Sequence, residues 1–214
     1  MMLRHLLSLT AAGFALFAMG CSDAPARPAK VGLYMNIRNP DSSIPEVANR
    51  TCQASSGIEW DLGRAVKSGN MVIDVESPSS TSFGKTLEDG KSGANIKCTV
   101  RKNGGFVSDG GGIDPQITPP NGQINFTFSG TAKKSGTPAT NVGQLSVWTP
   151  VTIDMGTNPG FPKCIITSVH EQAPGALWAD FDCPALTKVG DPARACHASG
   201  TIVLEYCKTG EEED

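Results

Sequence analysis

Seven cysteines are the residues of this chain whose type and number best suit them to chemistry. They are Cys21, Cys52, Cys98, Cys164, Cys183, Cys196 and Cys207. No two of them have the C-x-x-C spacing of a zinc site, and the Cys196-His197 pair lacks further ligands at useful spacing, so no metal site is predicted. In an oxidising compartment such cysteines pair as disulfides, and an odd number leaves one that needs another role.

Cys21 ends an N-terminal segment with three parts. Residues 1–5 carry positive charge, residues 6–17 are almost wholly apolar, and residues 18–20 end in the small residue glycine. This is the layout of a secretory signal, and its apolar part is too short to span a bilayer as a permanent helix. With Cys21 at its end, the segment resembles the bacterial lipoprotein signal. Gly20 fits the lipobox of that family, whereas the two residues before it depart from the usual pattern.

The resemblance covers residues 1–21 and implies a membrane anchor. In that family the cysteine becomes the lipid-modified N-terminus, with palmitate among its acyl chains, and more than one chain anchors stably at about 0.8 kcal/mol per buried CH₂. Ser22 resembles an outer-membrane address, because inner-membrane retention uses Asp at that position. Lipidation of Cys21 also leaves six cysteines to pair. The alternative is a plain secreted protein with Cys21 as a free thiol.

The pairing of the six cysteines follows in part from strand geometry. If residues 163–170 and 176–183 form a hairpin centred between Ala173 and Pro174, Cys164 faces Cys183. By elimination and proximity, this first scheme pairs Cys196 with Cys207. It also pairs Cys52 with Cys98.

A second scheme keeps Cys52–Cys98. It pairs Cys164 with Cys207 and Cys183 with Cys196, and the sequence leaves both schemes open.

Short apolar–polar alternations separated by turn residues fill the rest of the chain. They predict strands at 30–38, 57–61, 70–76, 95–101, 123–130, 143–148, 150–155, 163–170, 176–182 and 200–207. The 24 glycines and 15 prolines supply the turns, with Asn103-Gly104 as a hairpin signal. Residues 45–53 and 191–198 are the two helical candidates.

The pattern predicts an all-β fold, an antiparallel, disulfide-bonded β-sandwich of jelly-roll-like form with about ten short strands, preceded by a signal helix. The expected organisation is a signal peptide at 1–20, a tether at 21–30, a single domain at 31–208 and an acidic disordered tail at 209–214. The net charge of −3 gives no footprint for nucleic acid.

Catalytic motifs are absent, so a binding role is expected. Trp148 and Trp178 lie on the polar faces of their strands, and Trp178 shares its face with Asp180; these three residues are the candidate ligand-binding set, suited to a glycan or a protein partner. The alternative is that a loop or a second layer covers both indoles. The function expected is a lipid-anchored, non-catalytic binding or structural module of the cell envelope that needs no cofactor. The alternatives are an envelope hydrolase that uses His170 or His197, and a carrier of lipids or small ligands.

Overall fold

The computed structural model describes residues 26–52, 60–61, 66–68, 71–73, 84–91, 93–113, 123–149, 153–188 and 190–210. The expected signal peptide, Cys21 and the acidic residues 211–214 lie outside these ranges. Within them the chain forms strands and turns and no α-helix. It follows that no described segment is a helix able to cross a membrane.

Thirteen strands occur in the described part of the chain. They are β1 (Lys30–Arg38), β2 (Trp60–Asp61), β3 (Val66–Ser68), β4 (Met71–Ile73), β5 (Gly84–Glu88), β6 (Asn95–Val100), β7 (Gly105–Ile113), β8 (Gln123–Thr131), β9 (Val142–Thr149), β10 (Ile153–Gly156), β11 (Cys164–Ala173), β12 (Ala176–Lys188) and β13 (Asp191–Glu205). All pairs of neighbouring strands are antiparallel, which confirms the all-β prediction.

Eleven of the strands form one continuous sheet, and β3 and β4 pair separately. The sheet runs β2-β1-β13-β12-β10-β9-β8-β7-β6, and β5 also pairs with β1. Strand β11 pairs with both β12 and β9, so the four strands β9, β10, β12 and β11 close into a small barrel. The remaining strands extend this barrel on two sides.

The sheet closes in this way because its central strands are long and irregular. Strand β12 has 13 residues and β13 has 15, and their pairing shifts register after Cys183. Such bulges increase local twist and bend a strand, which lets one sheet curl around its own core. The predicted jelly-roll-like sandwich of two sheets is therefore not evident in the strand order, although the antiparallel all-β class is correct.

The two helical predictions are wrong. Residues 191–198 belong to β13, where Cys196 and Ala198 pair with β12. The Asp191 carboxylate does accept a hydrogen bond from the Ala193 amide at 3.3 Å, as a helix cap would. Pairing of the strand with its neighbours overrides that local preference. Residues 42–49 form turns, which lie over β12 and β13.

The core lies inside the curled sheet and centres on aromatic residues. Phe128 has no exposed surface and meets Phe106 and Phe181 edge-to-face, with ring centroids 5.3 and 5.0 Å apart. A smaller cluster outside the barrel contains Val47 and Ala195. The turns that carry Val47 thus act as a partial second layer over β13.

Three disulfides join the strands, and one was predicted. Cys164–Cys183 links β11 to β12 as expected. The turn of this hairpin falls one residue later than predicted, at Pro174-Gly175, and two register shifts in β11 restore the pairing of the cysteines.

The other two disulfides correct the prediction. Cys52 pairs with Cys196, and Cys98 pairs with Cys207. The predicted pairs Cys52–Cys98 and Cys196–Cys207 are wrong, as is the alternative scheme. Cys196 and Cys207 are close in sequence, but the stretch of β13 from Cys196 to Glu205 separates them by roughly 30 Å at 3.3 Å per residue.

Each of the two long-range disulfides joins a segment outside the named strands to a strand of the sheet. Thr51 forms a parallel bridge with Arg194, which places Cys52 beside Cys196. In the same way Lys208 runs beside Thr99, which places Cys207 beside Cys98. The cysteines of each bridge are thus brought together by pairing between segments that are far apart in the sequence.

Candidate ligand-binding face

The outer face of β6–β9 is a broad polar surface. Side chains here alternate with core residues, as Phe128 and Leu145 point inward on β8 and β9. Cross-strand neighbours form two polar rows. One consists of Lys97, Asp109, Thr127 and Ser146, and the other of Thr99, Val107, Ser129 and Gln144. We refer to this surface as the outer face.

Trp148 lies at one end of the outer face. Its side chain is 39% exposed, and its cross-strand neighbour on β8 is Asn125. Val107, in the second polar row, is 49% exposed. An exposed indole beside amide and hydroxyl groups offers an apolar ring and hydrogen-bonding partners to the same ligand, a combination that suits a sugar.

A cleft of about 610 Å³ lies at the opposite end of the outer face. Its lining combines two cations, an amide, three hydroxyls and the apolar Val107. The described residues that line it are Thr99, Arg101, Asn103, Gly105, Phe106, Val107, Ser129, Gly130, Thr131 and Lys133, and none of them is acidic.

The hairpin between β6 and β7 forms one wall of the cleft. Gly104 has a φ of +87°, which favours glycine, and its carbonyl accepts a hydrogen bond from the Ala132 amide at 2.9 Å. Asn103 Oδ1 accepts a bond from the Gly105 amide at 2.9 Å. The Asn103-Gly104 turn was predicted from sequence, and it places Arg101 and Asn103 at the cleft.

A buried amide fixes the other wall. Asn141 is 4% exposed, and its side chain makes two hydrogen bonds to the backbone of Lys133. Its Oδ1 accepts from the Lys133 amide at 3.0 Å, and its Nδ2 donates to the Lys133 carbonyl at 2.9 Å. The position of Lys133 is thus set by the fold, whereas its ammonium group stays exposed.

Arg101 and Lys133 have no carboxylate partner within the described residues. Both side chains are exposed at the cleft. Two cations with no acidic residue between them create a positive potential, although the whole chain carries a net charge of −3. This positive potential would attract an anionic group to the cleft.

A second polar cluster, on β11–β13, surrounds Trp178. His170 Nε2 lies 2.7 Å from Asp180 Oδ2, and the Thr201 hydroxyl donates to Asp180 Oδ1 at 2.6 Å. His170 lies in a β-bulge of β11 and packs on Trp178 with ring centroids 4.6 Å apart. The indole is half-buried, and its Nε1 has no partner among the described residues. Trp178 is therefore covered by its neighbours.

His197 forms a similar pair further along the same face. Its Nε2 lies 2.5 Å from Asp182 Oδ1, and Arg38 Nη2 lies 3.4 Å from both ring nitrogens. Asp41 is a nearby acid, and the Ser43 amide that donates to it is the main cause of its lowered pKa. The cluster thus balances two carboxylates against Arg38 and an imidazole.

Neither histidine contacts a nucleophile in the described part of the chain. Among the described residues, the side-chain hydrogen bonds of His170 and His197 go to carboxylates and to Arg38, and the six described cysteines are all in disulfides. Within the same ranges, no three His, Cys, Asp or Glu side chains group as metal ligands. The clusters hold neighbouring strands together.

The predicted ligand-binding residues do not form one site. Trp178 and Asp180 lie together on β12, but Trp148 is on β9. Gly143 on β9 lies beside Cys164 on β11, which lies beside Cys183 on β12. Trp148 is five residues beyond Gly143 in one direction along the sheet, and Trp178 is five residues from Cys183 in the opposite direction. At 3.3 Å per residue this separates them by roughly 30 Å along the strands.

Sequence reasoning also missed the cleft itself. Arg101 and Lys133 are far apart in the chain, and only the pairing of β7 with β8 brings them together. The available signal was the Asn103-Gly104 turn with a cation just before it. The chain shows no significant similarity to a known protein-family model, to a curated protein sequence or to a solved structure.

Proposed function

We propose that this protein is a lipid-anchored, non-catalytic module of the cell envelope that binds an extended glycan across its outer face. The observation that carries the proposal is Trp148, an exposed indole at the edge of a polar strand surface. Tryptophan side chains are on average highly buried, and aromatic residues are enriched where proteins bind partners.

The compartment is supported by the disulfides. Three of them tie the described domain, and such bonds persist in oxidising, extracytoplasmic environments. The resemblance of residues 1–21 to a lipoprotein signal supports an anchor at Cys21, and Ser22 supports the outer membrane. Lipidation also accounts for the seventh cysteine.

The anchor is tested by the intact mass of the protein purified from its native membrane, before and after reduction and alkylation. We expect a chain that begins at Cys21, carries acyl groups and has no alkylatable thiol before reduction. An unlipidated chain with one free thiol would refute the anchor.

Glycan binding is tested with isolated envelope polysaccharides and a Trp148→Ala variant. Loss of stacking should weaken binding about tenfold, which corresponds to about 1.4 kcal/mol. Trp178→Phe is the matched control, because that ring is covered and should not meet the ligand. Equal binding by wild type and Trp148→Ala, or a loss confined to Trp178→Phe, would remove Trp148 from the site.

The two alternatives have less support. A hydrolase is favoured by one observation, the hydrogen bonds from His170 and His197 to carboxylates, but neither imidazole meets a hydroxyl or thiol in the described chain. A carrier of apolar ligands requires a wholly apolar cavity, whereas the cleft described above mixes Phe106 and Val107 with cations, hydroxyls and an amide.

A further inference from the structure

We propose that the glycan is acidic and that its anionic group binds Arg101 and Lys133 in the cleft. The inference deepens the proposed function and rests on it. It names the chemical class of the ligand: a polysaccharide with carboxylate groups, which lies along the outer face from the cleft toward Trp148.

The cleft and Trp148 belong to one surface. Thr131 lines the cleft at one end of β8, and Asn125, the neighbour of Trp148, lies six residues away on the same strand face. At 3.3 Å per residue the two ends are about 20 Å apart. Between them lie Thr127 and Ser129 on β8, and the row through Thr127 also carries Asp109 and Lys97, one carboxylate and one ammonium group. A chain of several sugar rings can touch both ends.

The chemistry of the lining matches an acidic sugar. The Arg101 guanidinium presents a planar fork that suits a carboxylate, and Lys133 adds a second charge. Hydroxyls and the Asn103 amide can exchange hydrogen bonds with sugar hydroxyls. The exposed Val107 provides apolar surface for the C–H face of a ring.

The cleft is also held in place before any ligand arrives. Asn141 anchors the backbone of Lys133 through two hydrogen bonds, and the Gly104 carbonyl binds the Ala132 amide. A site that is already ordered loses less conformational entropy on binding. This organisation distinguishes Lys133 from its neighbour Lys134, which does not line the cleft.

The shape of the site favours a glycan over the headgroups of a bilayer. A cleft of about 610 Å³ admits a protruding group, whereas a flat membrane surface reaches only its rim. A polymer bound in the cleft can also contact the polar surface that extends about 20 Å away from it, whereas a single lipid headgroup cannot. Anionic vesicles are therefore the competing ligand in the test.

The test uses an array of acidic polysaccharides, namely alginate, hyaluronan and oligogalacturonides, each beside its carboxyl-reduced neutral form. The full-length protein should bind at least one acidic form about tenfold more tightly than its neutral form. Arg101→Gln combined with Lys133→Gln should lower the affinity for the acidic form about tenfold, so that the preference for it over the neutral form is lost. Lys134→Gln is the matched control and should keep the preference. Trp148→Ala should weaken both forms.

The outcomes separate the two proposals. Equal affinity for acidic and neutral forms, or a preference that survives the double substitution, would overturn the acidic ligand and leave glycan binding intact. Binding to phosphatidylglycerol vesicles, lost in the double variant and without binding to any acidic glycan, would assign the cleft to lipid headgroups. Failure to bind every glycan and every vesicle would overturn both proposals. Circular dichroism of each variant checks that it is folded.

Discussion

Removal of single disulfides should show how much each bridge contributes to the free energy of unfolding. We consider paired substitutions, Cys98→Ala with Cys207→Ala and Cys164→Ala with Cys183→Ala, so that no free thiol remains. A disulfide stabilises mainly by limiting the unfolded chain, and the gain grows with the logarithm of the loop it closes. The two bridges close very different loops, with sequence separations of 109 and 19 residues.

The remaining bridges shorten the longer loop. With Cys52–Cys196 intact, the shortest path from Cys98 to Cys207 runs through that bridge and contains about 57 residues. The chain-entropy relation then gives a loss of about 4.2 kcal/mol for the Cys98–Cys207 pair and about 3.2 kcal/mol for Cys164–Cys183. Since the same path closes Cys52–Cys196, that bridge should cost as much as Cys98–Cys207.

Urea denaturation at 25 °C, followed by tryptophan fluorescence, measures these losses in a Cys21→Ser background. The expected order is two equal large losses and one that is smaller by about 1 kcal/mol. A larger loss for Cys164–Cys183 than for either long-range bridge would refute the loop argument. Peptide mapping under non-reducing conditions that finds Cys196 joined to Cys207 would refute the connectivity itself.

Three further predictions concern the stability of the fold. Phe128→Ala should lower the free energy of unfolding by about 3–5 kcal/mol because it empties the centre of the core, while Thr127→Ala on the outer face should change it by less than about 0.5 kcal/mol, and urea denaturation distinguishes them. Asn141→Ala removes the partner of the Lys133 amide and one of the two partners of its carbonyl, which keeps the bond from the Gly136 amide, and should cost about 1–3 kcal/mol in the same assay; no loss would show that water replaces the amide. The pKa of Glu88 is lowered, mainly by its hydrogen bond from the side chain of Lys91, so its stabilising effect is present above the ordinary carboxyl pKa and is lost as the pH falls through the lowered one. The stability difference between wild type and Glu88→Gln should therefore be larger at pH 7 than at pH 2.5, and a difference independent of pH would contradict this assignment.

The alternation of apolar and polar residues predicted the strands that have one buried and one exposed face. The bounds predicted for β1, 30–38, are those observed, because its apolar residues alternate and a linker rich in proline precedes it. The alternation on β9 likewise predicted that Trp148 lies on the polar face of its strand, although not that it would be exposed there. These features depend on neighbouring residues in the chain, which a single sequence displays directly.

Features that depend on distant parts of the chain were not predictable. Residues 191–198 read as a helix because Asp191-Pro192 is a good helix start, but β13 lies between β1 and β12 and is buried on both faces along part of its length. The part of β13 that follows Cys196 also separates it from Cys207. The cleft depends on the meeting of the β6–β7 hairpin with Lys133, so its charges carry no local signature.

The arrangement of β1 has a mechanical consequence. A load applied at its first residue, Lys30, pulls along the strand and shears nine residue pairs with β13 at once, so the hydrogen bonds resist together instead of opening one by one. If β1 does yield, the chain can lengthen only as far as Cys52, which is bonded to Cys196 in the same central strand. The segment from Lys30 to Cys52 is about 75 Å long when fully extended, at roughly 3.4 Å per residue. Beyond that length the Cys52–Cys196 bond transfers any further pull directly to β13, the strand that lies between β1 and β12.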